Sequence, residues 1–220
     1  MNVVMMSLWR NDEHRCLADR VSHLLSKRSL GNHVRWLWVV GDSDDRTEEL
    51  LRDAALKADV TVLRYDSGIH GQDAETWRRR GAWTATQMFS HVLKSDDIAC
   101  LHESDLVSPV DVLDLLLCDP LPVAGWPTID LCGAPQFYDT WAFRHISGRH
   151  FSADAIPPAQ TFRVGSFGSC WAAQAALVRN RVLGPEAVVD LCRQWRSEGV
   201  ELWVDPRILI QQPVQLWAPV

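Results

Sequence analysis

The chain has 220 residues, 47% of them hydrophobic, with 22 Lys and Arg against 28 Asp and Glu, for a net charge of -6. That apolar share supplies a core and excludes an intrinsically disordered chain. The acidic balance, with a sequence pI of about 5.7, excludes broad attraction to nucleic acid, which needs a basic face. Nucleic acid stays open only as an acceptor met through a local basic patch such as Arg78-Arg79-Arg80. No run reaches the length of a membrane span, and Val3 to Met6 is too short for the apolar part of a signal peptide. The six cysteines show no Cys-x-x-Cys spacing, which argues for reduced core thiols over zinc and for a soluble, cytoplasmic protein. Eleven Trp hint at a sugar-binding cleft besides the core.

Asn2 to Leu8 reads as a first strand, turned by Trp9-Arg10-Asn11. Asn11 or Asp12 can cap the helix in which Cys16, Leu17, Val21, Leu24 and Leu25 recur at helical spacing. Arg35 to Val40 is a second strand, broken at Gly41-Asp42-Ser43-Asp44-Asp45, and Thr47 to Leu56 a second amphipathic helix. Val60 to Tyr65 alternates as a third strand, and a helix from about Ala74 to Lys94 carries the three arginines. Ile98 to His102, mostly apolar, is a buried fourth strand. This alternation is the signature of a parallel sheet covered on both faces, with right-handed crossovers. Beyond Pro109 a helix runs to Cys118, Leu121 to Trp126 is a strand stopped at Pro127, and Ile129 to Pro158 is aromatic and aperiodic. Pro185 to Ser197 is a helix, and Gly199 to Val204 a strand ending at Asp205-Pro206. No linker or repeat interrupts the chain, so one domain over 1–220 is expected, with a nucleotide-sugar half (1–109) and an acceptor half (110–220).

The organising motif is Glu103-Ser104-Asp105, two carboxylates delivered at the carboxyl end of the fourth strand. Ligands bind at such ends in parallel sheets, and an acidic pair there can hold a divalent cation through oxygen. A solvated turn is the alternative.

Val39 to Thr47, Leu101 to Asp105 and Pro185 to Pro206 resemble, in order and spacing, the GT-A fold nucleotide-sugar glycosyltransferases, with Glu103 replacing the first Asp of their Asp-x-Asp motif. The resemblance implies a mostly parallel, Rossmann-like sheet with helices on both faces and an elaborated C-terminal acceptor side. It implies Mn²⁺ or Mg²⁺ held directly by Asp105, with Glu103 reaching the metal or the ribose, a UDP- or GDP-sugar donor, and a hydroxyl acceptor on a glycan, a protein or a modified nucleobase. Ser7, Leu8, Trp9 and Asp42 would meet base and ribose, Arg79 or Arg80 the diphosphate, and Ser104 would let the backbone approach the donor. Asp190 or Glu186 would be the general base of an inverting enzyme, and a retaining enzyme would need none. Trp126, Tyr138, Asp139, Trp141, Arg144 and Ser169 would build the acceptor side.

The sequence departs from the family at Ile210-Gln211-Gln212-Pro213, where many members place a metal-binding His. His102 and His150 are candidates to fill that place. Two rivals stand beside this reading. A nucleotidyltransferase needs a glycine-rich phosphate loop after the first strand, and Ser7 to Asn11 holds no glycine. A non-catalytic nucleotide- or sugar-binding module of the same fold is the other.

Overall fold

The computed structural model describes residues 1–11, 17–27, 29–56, 58–71, 73–131, 134–137, 139, 141–168 and 170–213. In chain order the elements are β1 (Asn2–Trp9), α1 (Leu17–Leu25), β2 (His33–Gly41), α2 (Thr47–Ala55), β3 (Val60–Tyr65), α3 (Ala74–Phe89), β4 (Ile98–His102) and α4 (Val112–Leu116). They continue with β5 (Val123–Leu131), β6 (Ala134–Phe137), β7 (Phe162–Val164), β8 (Cys170–Gln174), α5 (Ala175–Val178), α6 (Val188–Ser197) and β9 (Leu202–Gln212).

Successive side chains of a strand point to opposite faces, so the unbroken apolar run of β1 suits a strand covered on both sides. Val4 and Met6 pack with Met88 and Phe89 of α3 and with Leu191 and Trp195 of α6. Val3 and Met5 pack on the other face with Leu17, Val21 and Leu24 of α1, Leu51 of α2 and Leu113 and Leu116 of α4. Each such fully buried side chain contributes about 1.5–3 kcal/mol. Two helix starts are fixed locally. Asp73 caps α3 by accepting from the Thr76 amide at 2.9 Å, and Asp45 accepts from the Thr47 amide at 3.0 Å at the head of α2. The Asp73 cap is worth about 1 kcal/mol. Asp12, the alternative cap for α1, lies outside the described residues. Asn11 instead reaches across to the loop after β2, its amide donating to Ser43 Oγ at 2.9 Å.

The strand order is β3-β2-β1-β4-β8-β5-β9-β7, with β6 on β5. The pairs β1–β2, β2–β3, β1–β4 and β5–β9 are parallel, and β8 lies antiparallel between β4 and β5. The carboxyl ends of β1 to β5 and of β9 therefore share one rim. The order reverses between β1 and β4, which makes a crevice at that rim. Among the described residues no helix is long and apolar enough to cross a membrane.

The second half departs from the sequence reading. Pro127 does not stop β5, and β9 does not end at Asp205-Pro206. The register jumps from Gly125↔Asp205 to Trp126↔Leu209, so a bulge takes Pro206, which has no N–H to give, out of the ladder. Asp205 closes the bulge by accepting from the Arg207 amide at 2.9 Å. Gly125 permits the close approach, because a Cβ there would lie 2.5 Å from Ile210 Cγ1. The helices after Asp73, Pro109 and Pro185 are shorter than their apolar periods suggest, and α6 starts only at Val188. The aperiodic segment is organised by rings: Trp126 stands 4.6 Å from Phe137 and 5.8 Å from Phe151, and Phe137 5.6 Å from Phe143.

Candidate active site

The acidic loop leaves β4 at the crevice. Ser104 is buried, and Glu103 and Asp105 are half-buried. Asp105 Oδ2 accepts from Gln212 Nε2 at 3.1 Å, and Val107 and Gln211 exchange backbone hydrogen bonds of 2.8 and 2.7 Å. The end of β9 is thus stitched to the loop after β4. The same bulge that carries β9 past Pro206 delivers Gln212 to the place where the sequence left a metal ligand in question.

Beneath the loop lies a buried polar layer that the sequence reading missed. Arg20 Nε donates to the Ser104 carbonyl at 2.8 Å and Arg20 Nη2 to Ser104 Oγ at 2.6 Å, while its guanidinium sits 5.0 Å over the Trp9 ring. Lys27 Nζ donates to the carbonyls of Ser108 and Pro109 at 2.7 and 3.1 Å. The Ser108 amide donates to His23 Nε2 at 3.1 Å. His102 is fully buried. Its Nδ1 meets the Glu103 carbonyl at 2.9 Å and its Nε2 meets Ser108 Oγ at 2.8 Å. A carbonyl only accepts, so Nδ1 carries the proton and Nε2 accepts from the hydroxyl. Burial lowers His102 to about 3 and, with help from the Lys27 charge, His23 to about 4; Lys27 is lowered to about 8, again chiefly by burial. With both nitrogens engaged, His102 is a support of the loop, which corrects its candidacy as a spare metal ligand. His150 is exposed on the 145–150 turn.

Of the residues expected at the donor, Asp42 (φ 49°) accepts from Ser67 N at 2.8 Å and Ser67 Oγ at 2.7 Å, joining the ends of β2 and β3. Ser7 is fully buried and donates to the His102 carbonyl at 2.5 Å, Leu8 packs on the core, and Trp9 is buried against Trp38. The three arginines separate. Arg78 lies 5.4 Å over the Trp141 ring, Arg79 is exposed, and Arg80 is buried with Nη2 on the Gly71 carbonyl.

Of the acceptor and base candidates, Arg144, Glu186 and Asp190 meet at the head of α6. Asp139 Oδ1 accepts from the Ala142 amide at 3.1 Å, and Arg144 pairs backbone with Ser166. Arg144 Nη2 lies 3.9 Å from Glu186 Oε1, and Arg193 Nη1 lies 2.5 Å from Glu186 Oε2 and 2.9 Å from Asp190 Oδ1. Asp190 Oδ2 accepts from the Glu186 amide at 2.8 Å, so its carboxylate closes the 184–187 turn, while the Glu186 side chain remains 36% exposed. Trp126 is only 2% exposed, yet its edge lines a groove of about 510 Å³ with Phe137, Ile156 and Leu209. Tyr138 and Ser169 lie outside the described residues.

Ala187, just before α6, has φ 49° and ψ -118°. Such a conformation costs an L-residue of the order of 1–3 kcal/mol, against up to about 1 kcal/mol for loosening the unfolded chain with glycine. Ala187→Gly will therefore stabilise the protein by about 1 kcal/mol, a rise of about 2–4 °C in melting temperature. A calorimetric scan that shows a fall instead contradicts the strain.

Among the described residues no three His, Cys, Asp or Glu side chains converge on a metal position. What the loop offers is two carboxylates and a neighbouring amide, a hard oxygen set. Mg²⁺-type ions are commonly held by one or two carboxylates plus substrate phosphates, so the residues fit a cation that arrives with a nucleotide.

The strand order, with β8 antiparallel beside β4 and the acidic loop at the crevice, defines a GT-A fold, the fold of nucleotide-sugar glycosyltransferases. Two solved structures stand for that class. One is GalNAc-T7 with UDP, GalNAc and Mn²⁺ (TM-score 0.59, 13% identity, 97% of this chain and 44% of that one). The other is the mannosyltransferase PcManGT from Pyrobaculum calidifontis in complex with GDP-Man and Mn²⁺ (TM-score 0.60, 13% identity, 95% of this chain and 56% of that one). The chain spans about half the length of these proteins, and at such identity the likeness defines the fold alone. No family model and no curated protein matches the sequence.

Proposed function

We propose that the protein is a metal-dependent glycosyltransferase that moves a sugar from a UDP- or GDP-sugar to a hydroxyl acceptor. The observation that carries this is the acidic loop at the β1/β4 crevice with Gln212 set against Asp105. Asp105 and Glu103 would hold Mn²⁺ or Mg²⁺, and Gln212, its carboxamide turned end for end, offers a third oxygen. The cation, when bound, neutralises the charge that appears on the diphosphate as the sugar leaves. Asp42 and the Ser67 loop flank the base and ribose, and Arg79 faces the phosphates. Glu186 accepts the proton of the acceptor hydroxyl as its oxygen bonds to the anomeric carbon and the bond to phosphate breaks, which makes the enzyme inverting. Arg144 and Arg193 hold the Glu186 carboxylate, and Asp190 holds its turn. Trp141, Asp139 and Arg144 form the acceptor wall. The buried free thiols Cys100, Cys170 and Cys192 support a reducing compartment, the cytoplasm.

The test is thermal unfolding with UDP or GDP and Mn²⁺ or Mg²⁺. A ligand at a hundred times its Kd adds about 2.7 kcal/mol, about 5–10 °C at this size. One nucleotide will do so only with metal, and chelation will reverse it. If no nucleotide–metal pair shifts the transition, the donor assignment fails. Stabilisation without turnover would favour the non-catalytic binding module.

A further inference from the structure

We propose that Arg20 is a positioning residue that sets the acidic loop for its cation, acting from α1 with His23 and Lys27. The inference rests on the reading of Glu103 and Asp105 as metal ligands. Arg20 and His23 lie on α1 among the buried Leu17, Val21 and Leu24, and Lys27 lies two residues past its end. Burying cations in an apolar face costs several kcal/mol each unless they are well partnered, and two neutral imidazoles alone would not need them. All three reach one loop: the carbonyls of Ser104, Ser108 and Pro109, the Ser104 hydroxyl and the Ser108 amide. A loop closed off from water must satisfy such groups from inside, and α1 does it with side chains fixed by packing.

Arg20 is the member of the set that reaches the motif itself. Its Nε and Nη2 fork onto the carbonyl and hydroxyl of the residue between the two carboxylates, and the guanidinium sits over the Trp9 ring at the end of β1. One side chain therefore spans the crevice from β1 to the loop after β4 and fixes the direction in which Glu103 and Asp105 leave the backbone. A merely electrostatic role has the opposite signature. A buried positive charge near two carboxylates weakens cation binding, so its removal alone would tighten it.

The experiment titrates Mn²⁺ alone into the full chain and its variants, reading free Mn²⁺ by electron paramagnetic resonance well below each melting temperature. Loss of a group that orients ligands typically costs 10–100-fold in metal affinity. Arg20→Met and Arg20→Lys will both lose about that much, the lysine because it keeps the charge but not the fork. Ser104→Ala, which removes one arm of the fork and leaves Arg20 in place, will lose less, about threefold to tenfold. Wild-type affinity in Arg20→Lys and Ser104→Ala, or tighter binding in Arg20→Met, overturns the proposal. Should the Arg20 variants not fold, Ser104→Ala decides it. A wild-type chain that binds no Mn²⁺ instead brings down the reading of the loop, and the inference with it.

Discussion

Asp105→Asn will reduce metal-dependent sugar transfer by about a thousandfold while leaving the fold intact. Neutralising the leaving diphosphate is worth several kcal/mol, and about 4 kcal/mol is a factor of a thousand in rate. Asn keeps the shape of Asp and an oxygen able to accept from Gln212, so the 3.1 Å contact that ties β9 to the loop can persist. What disappears is the negative charge a divalent cation requires. Steady-state kinetics at saturating Mn²⁺, read beside the melting temperature, separate the two effects. Transfer at the wild-type rate in this variant would strip Asp105 of the role given to it. Glu103→Gln will do less, since Asp105, the carboxylate held against Gln212, keeps its charge.

Acid will weaken the fold well before the carboxylates titrate. His102 is held at about 3 and His23 at about 4, against 6.5 for a free imidazole. Both folded values are depressed, so between these limits the unfolded chain binds more protons than the native one. Stability contributed by the neutral rings is therefore complete above pH 6.5 and drains away as the pH falls toward 3. For fully buried His102 the loss by pH 4 amounts to about 3 kcal/mol, and His23 adds to it with the same sign. Glu48, held low chiefly by Arg52, and Asp205, where burial pushes up but the hydrogen bonds from Arg207 outweigh it, act only below about pH 4.5, so above that pH the histidines act alone of these groups. Urea unfolding midpoints at pH 7, 5.5 and 4.5 will fall steadily in the wild type. In His102→Gln they will start lower and fall less. A flat profile from 7 to 4.5 would mean that the rings are not buried neutral. Lys27 works at the other end: its depressed value of about 8 makes its contribution rise with pH from 8 to about 10.5.

The first half of the fold was readable because its signals are local. The run Val60 to Tyr65 coincides with β3, whose alternation suits a half-buried edge strand, and the apolar run Ile98 to His102 with β4, a strand buried on both faces. The second half was read less well. Pro127 and Pro206 are stop signals by every local rule, yet β5 and β9 run on: a bulge between the facing strands takes Pro206 out of the ladder while Pro127 keeps its place opposite Ile210, and both are properties of the pair. The charged residues divide in the same way. Local pattern singles out Arg78, Arg79 and Arg80 as a basic patch but cannot send one onto Trp141, one to water and one beneath Gly71.

By itself the sequence determined the alternation of strands and helices and the position of Glu103 and Asp105 at the end of a buried strand, because both follow from neighbours a few residues apart. Only the tertiary structure decided that β8 would lie reversed between β4 and β5, that Gln212 would meet Asp105 across 107 residues of chain, and that Arg20, His23 and Lys27 would be sealed under the acidic loop. A polar side chain on a helix becomes a support or a solvated charge according to what covers it, and the covering loop comes from a distant part of the chain.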